Sequence, residues 1–489
     1  MSEEHHLSDE LDVAAAAAGS KVPGLEPAAG KYKAELSRSL TVRENVLITL
    51  SAVTPASSLF VIAPVVISGV GGASVMVYVV AAVIGIAVAL CYAELSSAYP
   101  ITGGEYAFVA RTLGKPIGFA LFIQTLISSV LVTGVLAEGA GTYLAVLWPA
   151  LDAKMVGIAI ILATMIVACF SIRLNAWVTG VFLILEVAAL AIVAALGFLN
   201  VSQPISTLWT TTTSGDGGVL VATSAGLVVS YTATALFAYN GYGTAVYFAE
   251  ETHQASRTIG RAIIWSLTIA VLTQQIPLIA VVLGTPRLAE LVDSHDPLSY
   301  FVEARGGTAI NNIVSLGIAI AVLNAVLAGT LQNARRLYSS ARDRSWPDVV
   351  NEPLGRINPR FKSPIAASIL IGVLASVLLA TVPFQTLLLV TGASLLITYA
   401  FVALSALVGR MNGSTDRAVF RMPLWPAVPL VMLAATMFIA YQSLVADWVP
   451  VAAAILSAAI GLPYYYLYIH RRRGDRWKLP DPADDADSG

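Results

Sequence analysis

The strongest constraint on this chain is a succession of apolar stretches, each close to 20 residues and nearly free of charge, that fills most of its 489 residues. A helix rises about 1.5 Å per residue, so about 20 apolar residues cross the ~30 Å hydrocarbon core of a bilayer. Twelve such stretches are legible, at roughly 43–69, 74–99, 116–148, 153–172, 176–199, 219–249, 258–284, 308–338, 364–382, 384–409, 424–445 and 449–469. Only 12% of the residues are charged against 57% apolar; a soluble surface of this size carries about 25% charge. The expected architecture is therefore all-α and integral to a membrane, with about twelve transmembrane helices.

The distribution of positive charge tests that reading, because Lys and Arg accumulate in cytoplasmic loops. With the N-terminus inside, 25 of the 28 Lys and Arg fall on the cytoplasmic side, leaving Lys154, Arg287 and Arg305 outside. A wrong helix count would scramble this split. Residues 1–40 have no cationic start followed by an apolar core, so they read as a mobile cytoplasmic tail and not as a secretory signal. Residues 471–489 read as a second cytoplasmic tail, and 41–470 as the membrane domain. Cys91 and Cys169 lie in apolar runs, and the five histidines (His5, His6, His253, His295, His470) fall in tails or loops. No metal-ligand spacing, disulfide framework or cofactor motif follows from them.

Two spans are interrupted at their centres. The first reads Ser51-Ala-Val-Thr-Pro-Ala-Ser-Ser-Leu-Phe60, and the sixth reads Phe237-Ala-Tyr-Asn-Gly-Tyr-Gly243. Proline removes a helical hydrogen bond, and Asn-Gly favours a turn. Unpaired backbone is costly in lipid, so such breaks persist where they face protein or a water-filled cavity. Either break alone could be a simple kink. Both together, five spans apart, form the pattern of an inverted repeat with a binding site near the midplane. Repeat one would cover about 43–199, repeat two about 219–409, and accessory helices about 424–469.

Local motifs agree. Tyr92-Ala-Glu-Leu-Ser-Ser-Ala-Tyr-Pro-Ile-Thr-Gly-Gly-Glu-Tyr106 resembles the loop after helix two of amino acid–polyamine–organocation (APC) permeases. Phe237-Ala-Tyr-Asn-Gly-Tyr242, Ala249-Glu-Glu-Thr252 and Arg257-Thr-Ile-Gly-Arg-Ala-Ile263 are similar to their helix six and the loop behind it. Arg336-Leu-Tyr-Ser-Ser-Ala-Arg-Asp343 with Trp346-Pro347 resembles their helix-eight exit. The resemblance implies a leucine-transporter-type fold of five plus five inverted helices with two accessory helices. It also implies alternating-access carriage of amino acids or related amines. Many family members have a Gly-Ser-Gly-type stretch in helix one, where this chain has Thr54-Pro-Ala-Ser-Ser58. A substrate without a carboxylate therefore stays open.

For an α-amino acid, the carboxylate is expected at the backbone of Ala56, Ser57 and Ser58, where a half-helix begins with free N–H groups. Thr54, Ser57 and Ser58 could add hydroxyls. The ammonium would meet carbonyls at Phe237 and Ala238, while Tyr239, Asn240 and Tyr242 shape a side-chain pocket or simply pack. Glu186 stands alone in Ile184-Leu-Glu-Val-Ala188; a charge there costs about 2.5–3.5 kcal/mol or more, so it is a proton-coupling candidate or a neutral packing residue. Glu138 is a second acid, in the outer vestibule or near a cationic group. Glu94, Glu105, Glu250 and Glu251 are gate candidates beside basic loops, or solvated charge. Gln274, Gln275 and Asn324 read as interhelical hydrogen-bond glue.

The function expected is proton-coupled amino acid symport across the cell membrane, with a polyamine or other amine carrier as the alternative and a transporter-like nutrient sensor as a reading of another class. The partners expected are a small-molecule substrate, a proton and the lipid bilayer, with no nucleic acid. No Walker-type phosphate loop occurs in the sequence, and no convergent nucleophile, base or metal set marks an enzyme.

Overall fold

Where the chain breaks its helices, the local residues explain why. The computed structural model describes residues 40–100, 104–169, 175–215, 219–358, 360–361, 363–472 and 476–477, without the side chains of 175–181, 250 and 251. Most of both expected tails lies outside these residues. Helix α1 (Val42–Val53) opens on a capping box in which Thr41 and Glu44 satisfy each other's backbone N–H groups. It stops at Thr54, whose backbone is left-handed (φ 44°, ψ 69°), and α2 (Pro55–Val70) starts with a proline that has no N–H to lose. A tight turn at Gly71–Ala73 leads into α3 (Ser74–Ala98). The first repeat region continues through α4 (Glu105–Thr112), α5 (Lys115–Leu147), α6 (Ala153–Ala168) and α7 (Asn175–Leu199).

The sixth run departs from expectation. Its first residues leave the helix as β2 (Leu220–Ala222), which pairs with β1 (Thr212–Ser214) just before the run in a small antiparallel hairpin with Thr213 opposite Val221. Thr211 to Thr213 and Val221 favour strand, and the hairpin covers the end of α2, where the Thr213 hydroxyl donates to the Ser68 carbonyl. Helix α8 (Ala225–Ser230) and α9 (Thr232–Tyr239) follow, then a break at Asn240-Gly241 and a 3-10 segment, Tyr242–Glu251. Next come α10 (Ala255–Gly284), α11 (Leu288–Asp293), the long α12 (Pro297–Arg342, kinked at Gly307) and the short α13 (Asp348–Leu354). The last helices are α14 (Ile365–Thr381), α15 (Phe384–Met411), α16 (Ala427–Ala446) and α17 (Trp448–Ala459), which leads through Gly461–Tyr464 into a wider turn at Tyr465–Ile469.

Eight segments of the described residues are long and apolar enough to cross a membrane, the first running from Val42 to Ala98 through both of the first two expected spans. Three shorter apolar helices, Ala153–Ala168, Ala225–Tyr239 and Ile365–Thr381, fall on three more of the expected runs. Length and composition thus do not confirm the expected count of twelve, because broken and shortened helices fall below the length that a continuous span needs. The surface matches a lipid solvent: Ile184, Leu185 and Val187 on α7 and Val431, Met437 and Phe438 on α16 are exposed apolar side chains.

Small residues set how closely the helices approach, as expected where lipid supplies no hydrophobic drive between them. A Cβ on Gly284 would lie 2.5 Å from the Gly197 Cα, and one on Gly197 would lie 2.2 Å from the Ala280 carbonyl oxygen. These are backbone atoms that cannot step aside. The Gly284→Val variant is therefore expected to lose about 1–3 kcal/mol of stability, as overpacking generally does. Thermal unfolding in detergent reads this as a midpoint several degrees lower, and an unchanged midpoint would show that α7 and α10 separate freely.

Candidate functional site

The break in the first helix brings together the residues that matter most. Thr54 donates its N–H to Leu50 and accepts from the Ser58 N–H, each at 2.9 Å, so it closes one half-helix and opens the other. Pro55 offers no donor, which leaves Ala56 as the first free N–H of α2. That N–H donates to the Glu186 carboxylate at 3.2 Å. Glu186 is 2% exposed although its neighbours Ile184 and Val187 face outward. A carboxylate at a helix N-terminus answers both the orphan donor and the dipole. The Ser58 hydroxyl donates to the Val53 carbonyl at 2.9 Å, while the Ser57 hydroxyl is buried without a partner.

The second break lies directly opposite. Gly241 adopts φ 117°, and a Cβ there would lie 2.9 Å from the Val53 Cα, so only glycine allows the two interrupted helices to touch. Asn45 in α1 adds a second tie, donating to the Thr252 hydroxyl at 3.0 Å. A cavity of about 200 Å³ runs from this junction between α5 and α12. Val53, Thr54, Ser58, Phe237, Asn240 and Thr244 line its upper part, and Glu105, Tyr247, Asn333 and Arg336 its lower part. Outside this lining, the Tyr143 hydroxyl reaches the Phe60 carbonyl at 2.7 Å and Asp296 at 3.2 Å, and the Phe60 and Tyr143 rings pack edge to face.

At the lower end, Glu105 accepts from the Tyr92 hydroxyl at 3.0 Å and the Tyr247 hydroxyl at 2.6 Å. Arg336 donates to that Tyr247 oxygen at 2.9 Å and lies over its ring, 5.1 Å from the centroid. Glutamate, tyrosine and arginine thus form a chain across the mouth of the cavity. Glu94 is built differently. It is fully buried and grips Arg410 with two hydrogen bonds of 2.5 and 2.6 Å, and it also accepts from the Met422 N–H. This clasp ties α3 to α15 away from the cavity lining.

Several expected site residues take other partners. Tyr239 donates to Gln275 at 3.0 Å and packs on Tyr78, and Tyr242 donates to Tyr399 at 3.2 Å, both buried and outside the cavity lining. The Ala238 carbonyl already accepts from Gln274 at 3.0 Å, and the Phe237 carbonyl accepts from the Asn240 N–H. Gln274 and Gln275 bridge helices, the latter to the Val75 carbonyl. Ala56 and Ser57 sit at the break but behind the lining, Glu138 stands on α5 where Gly157 of α6 approaches it, and the Glu250 and Glu251 side chains lie outside the described residues. The residues that sequence reasoning missed are Asn45, Tyr247 and the lining role of Arg336. Arg336 opens the motif Arg336–Asp343 at the expected cytoplasmic end of its span, which marked the segment but not its place in a cavity.

A model of the amino acid permease family matches residues 40–469. An uncharacterized transporter of Mycobacterium tuberculosis is 29% identical over 430 residues, which is 87% of this chain and 90% of the relative. The methylthioribose transporter of Bacillus subtilis is 23% identical over 455 residues, 88% of this chain and 94% of that protein. The branched-chain amino acid permease of the same organism is 22% identical over 415 residues, covering 80% and 84%.

The two acids differ in what their loss should do. Removing one partner of a buried ion pair costs about 3–5 kcal/mol, so Glu94→Gln should lower the thermal midpoint in detergent strongly. Glu105→Gln keeps the shape and the hydroxyl contacts and should leave the midpoint within a few degrees of the parent. Equal effects of the two substitutions would contradict the division between clasp and mouth.

Proposed function

This chain belongs to the amino acid permease family of the APC superfamily, and we propose that it accumulates an amino acid by proton-coupled symport through alternating access. Family and relatives are transporters and not enzymes, and several of the relatives are named for the amino acids they carry across a membrane. The proposal concerns the coupling and the site. The observation that carries it is the contact between the Glu186 carboxylate and the Ala56 N–H at the broken helix.

That N–H is already taken by one carboxylate. A substrate carboxylate approaching Ala56, Ser57 and Ser58 meets Glu186 already there, and two like charges in a water-poor site repel strongly. Protonating Glu186 removes the repulsion and frees the helix end, so substrate and proton enter together. Their departure is linked in the same way. Glu186 is then the coupling residue, and Thr54, Ser58, Phe237 and Asn240 surround the substrate. Glu105, Tyr247 and Arg336 act as the inner gate, Tyr143 with Asp296 as the outer seal, and Glu138 faces the outer vestibule. The charge split of the sequence supports cytoplasmic termini and insertion in the cell membrane, so the cavity described here opens inward.

A second reading is favoured by the same contact. If Glu186 stays ionised and keeps the helix end, the cargo has no carboxylate and is an amine or a neutral solute; the name of the methylthioribose relative shows such a cargo within the similarity.

Purified protein in liposomes separates these readings. An acidic exterior should drive uptake of one radiolabelled amino acid above its equilibrium level. Glu186→Gln should abolish that accumulation while retaining exchange. Accumulation by the variant equal to that of the parent would remove Glu186 from the coupling. Competition by amines alone, with no amino acid carried, would favour the second reading.

A further inference from the structure

A second cavity, of about 940 Å³, lies between the end of α12, α13 and the final turn after α17. Five arginines line it, Arg342, Arg344, Arg471, Arg472 and Arg476, against two acids, Asp348 and Glu352. Both acids are already paired. Asp348 accepts from Arg476 at 2.8 and 2.9 Å, and Glu352 accepts from Arg356, which lies outside the lining. The Arg476 hydrogen bond holds the Asp348 carboxyl below the usual carboxylate range, so that pair stays formed at neutral pH. Arg342 lies 3.5 Å from Asp343. Among the described residues, Arg344, Arg471 and Arg472 have no carboxylate within ion-pair distance.

This is a constructed wall and not a scatter of surface charge. Arg476 is 8% exposed and donates to the Trp346 carbonyl at 2.7 Å as well as to Asp348. The Tyr468 ring receives two guanidinium groups, Arg472 at 5.1 Å and Arg476 at 4.8 Å from its centroid. Next to Arg476, Trp477 is buried against Phe119, and its N–H donates to the Asp343 carbonyl at 2.9 Å. Arg344 sits in the left-handed backbone region at φ 55°, a conformation retained only where the surroundings dictate it.

Five guanidinium groups against two carboxylates, both already hydrogen-bonded, leave an excess of positive charge that calls for an anion with several oxygens, and phosphate fits the guanidinium fork. The neighbouring surface narrows the source. Leu462, Tyr466 and Leu467 are exposed on the last membrane segment, within about one to three turns of Arg471 and Arg472. An amphiphile can use both surfaces at once, with its phosphate among the arginines and its chains along the apolar face. A free phosphate would use only the first. We propose that this cavity is a binding site for the phosphate of an anionic phospholipid headgroup.

The full-length protein in detergent tests this directly. Phosphatidylglycerol added to the micelles should raise the thermal midpoint and appear as a retained adduct in native mass spectrometry, whereas phosphatidylcholine should do neither. The double variant Arg344→Gln/Arg472→Gln should bind phosphatidylglycerol about tenfold or more weakly, the loss of one good contact being about 1.4 kcal/mol. The single variant Arg471→Gln, read in the same way, keeps the test open if the double variant folds poorly. A parent-like response of either variant would overturn the site. Equal stabilisation by inorganic phosphate alone would overturn the lipid and leave a free phosphate as ligand, and equal effects of the two lipids would overturn both.

Discussion

A helix that stops halfway across a bilayer must find partners for its orphaned backbone groups, and most of this molecule can be traced to how it does so. Thr54 is β-branched yet left-handed, a conformation costing on the order of 1–2 kcal/mol. Nothing local repays that. The repayment comes from other elements: the Glu186 carboxylate takes the Ala56 N–H, Ser58 takes the Val53 carbonyl, and the Asn240-Gly241 turn packs against Val53. Each needs its own helix in a fixed place. The position of α7, the glycine at 241 and the hydroxyls after Pro55 are consequences of one interrupted helix.

The proposed outer seal and inner gate are held by different physics. The Tyr143 contacts consist of a tyrosine hydroxyl against a backbone carbonyl and of ring packing, all short-range. The gate relies on Glu105, Tyr247 and Arg336, where the tyrosine oxygen sits between the acid and the base. The arginine is attracted to the ring face as well, so the mouth has a cation, an anion and a polarisable surface to rearrange. The Glu94–Arg410 clasp is not part of this exchange. With Glu94 fully buried and doubly hydrogen-bonded to a largely buried Arg410, it is costly to open.

The fold class was legible because lipid imposes a single rule, that spans be long and uncharged, and the chain obeys it almost everywhere. The breaks were legible for the same reason, since Pro55 and Asn240-Gly241 violate helix chemistry in the middle of apolar runs. Glu186 stood out as a lone acid. The hairpin at Thr212–Ser214 and Leu220–Ala222 was not legible: the apolar Leu220–Ala222 reads alike as strand or helix until its partner is known, and that partner is a polar Thr-Thr-Ser segment. The directions of Tyr239 and Tyr242 were hidden too. An aromatic at a broken helix can face the cavity or the next helix, and here Gln275 and Tyr399 decide it. Glu94 and Glu105, eleven residues apart in one motif, take opposite roles because their partners, Arg410 and Tyr247, come from distant sequence.

The central claim is that cargo sits where the two interrupted helices meet. Cysteine labelling tests it most directly. In a background with Cys91→Ser and Cys169→Ser, a single Asn240→Cys lies on the cavity wall, and Met411→Cys lies at an exposed position outside the lining. The account predicts that saturating transported substrate slows thiol labelling at position 240 and leaves position 411 unchanged. Labelling at 240 that is indifferent to substrate, in protein that still transports it, would contradict the account.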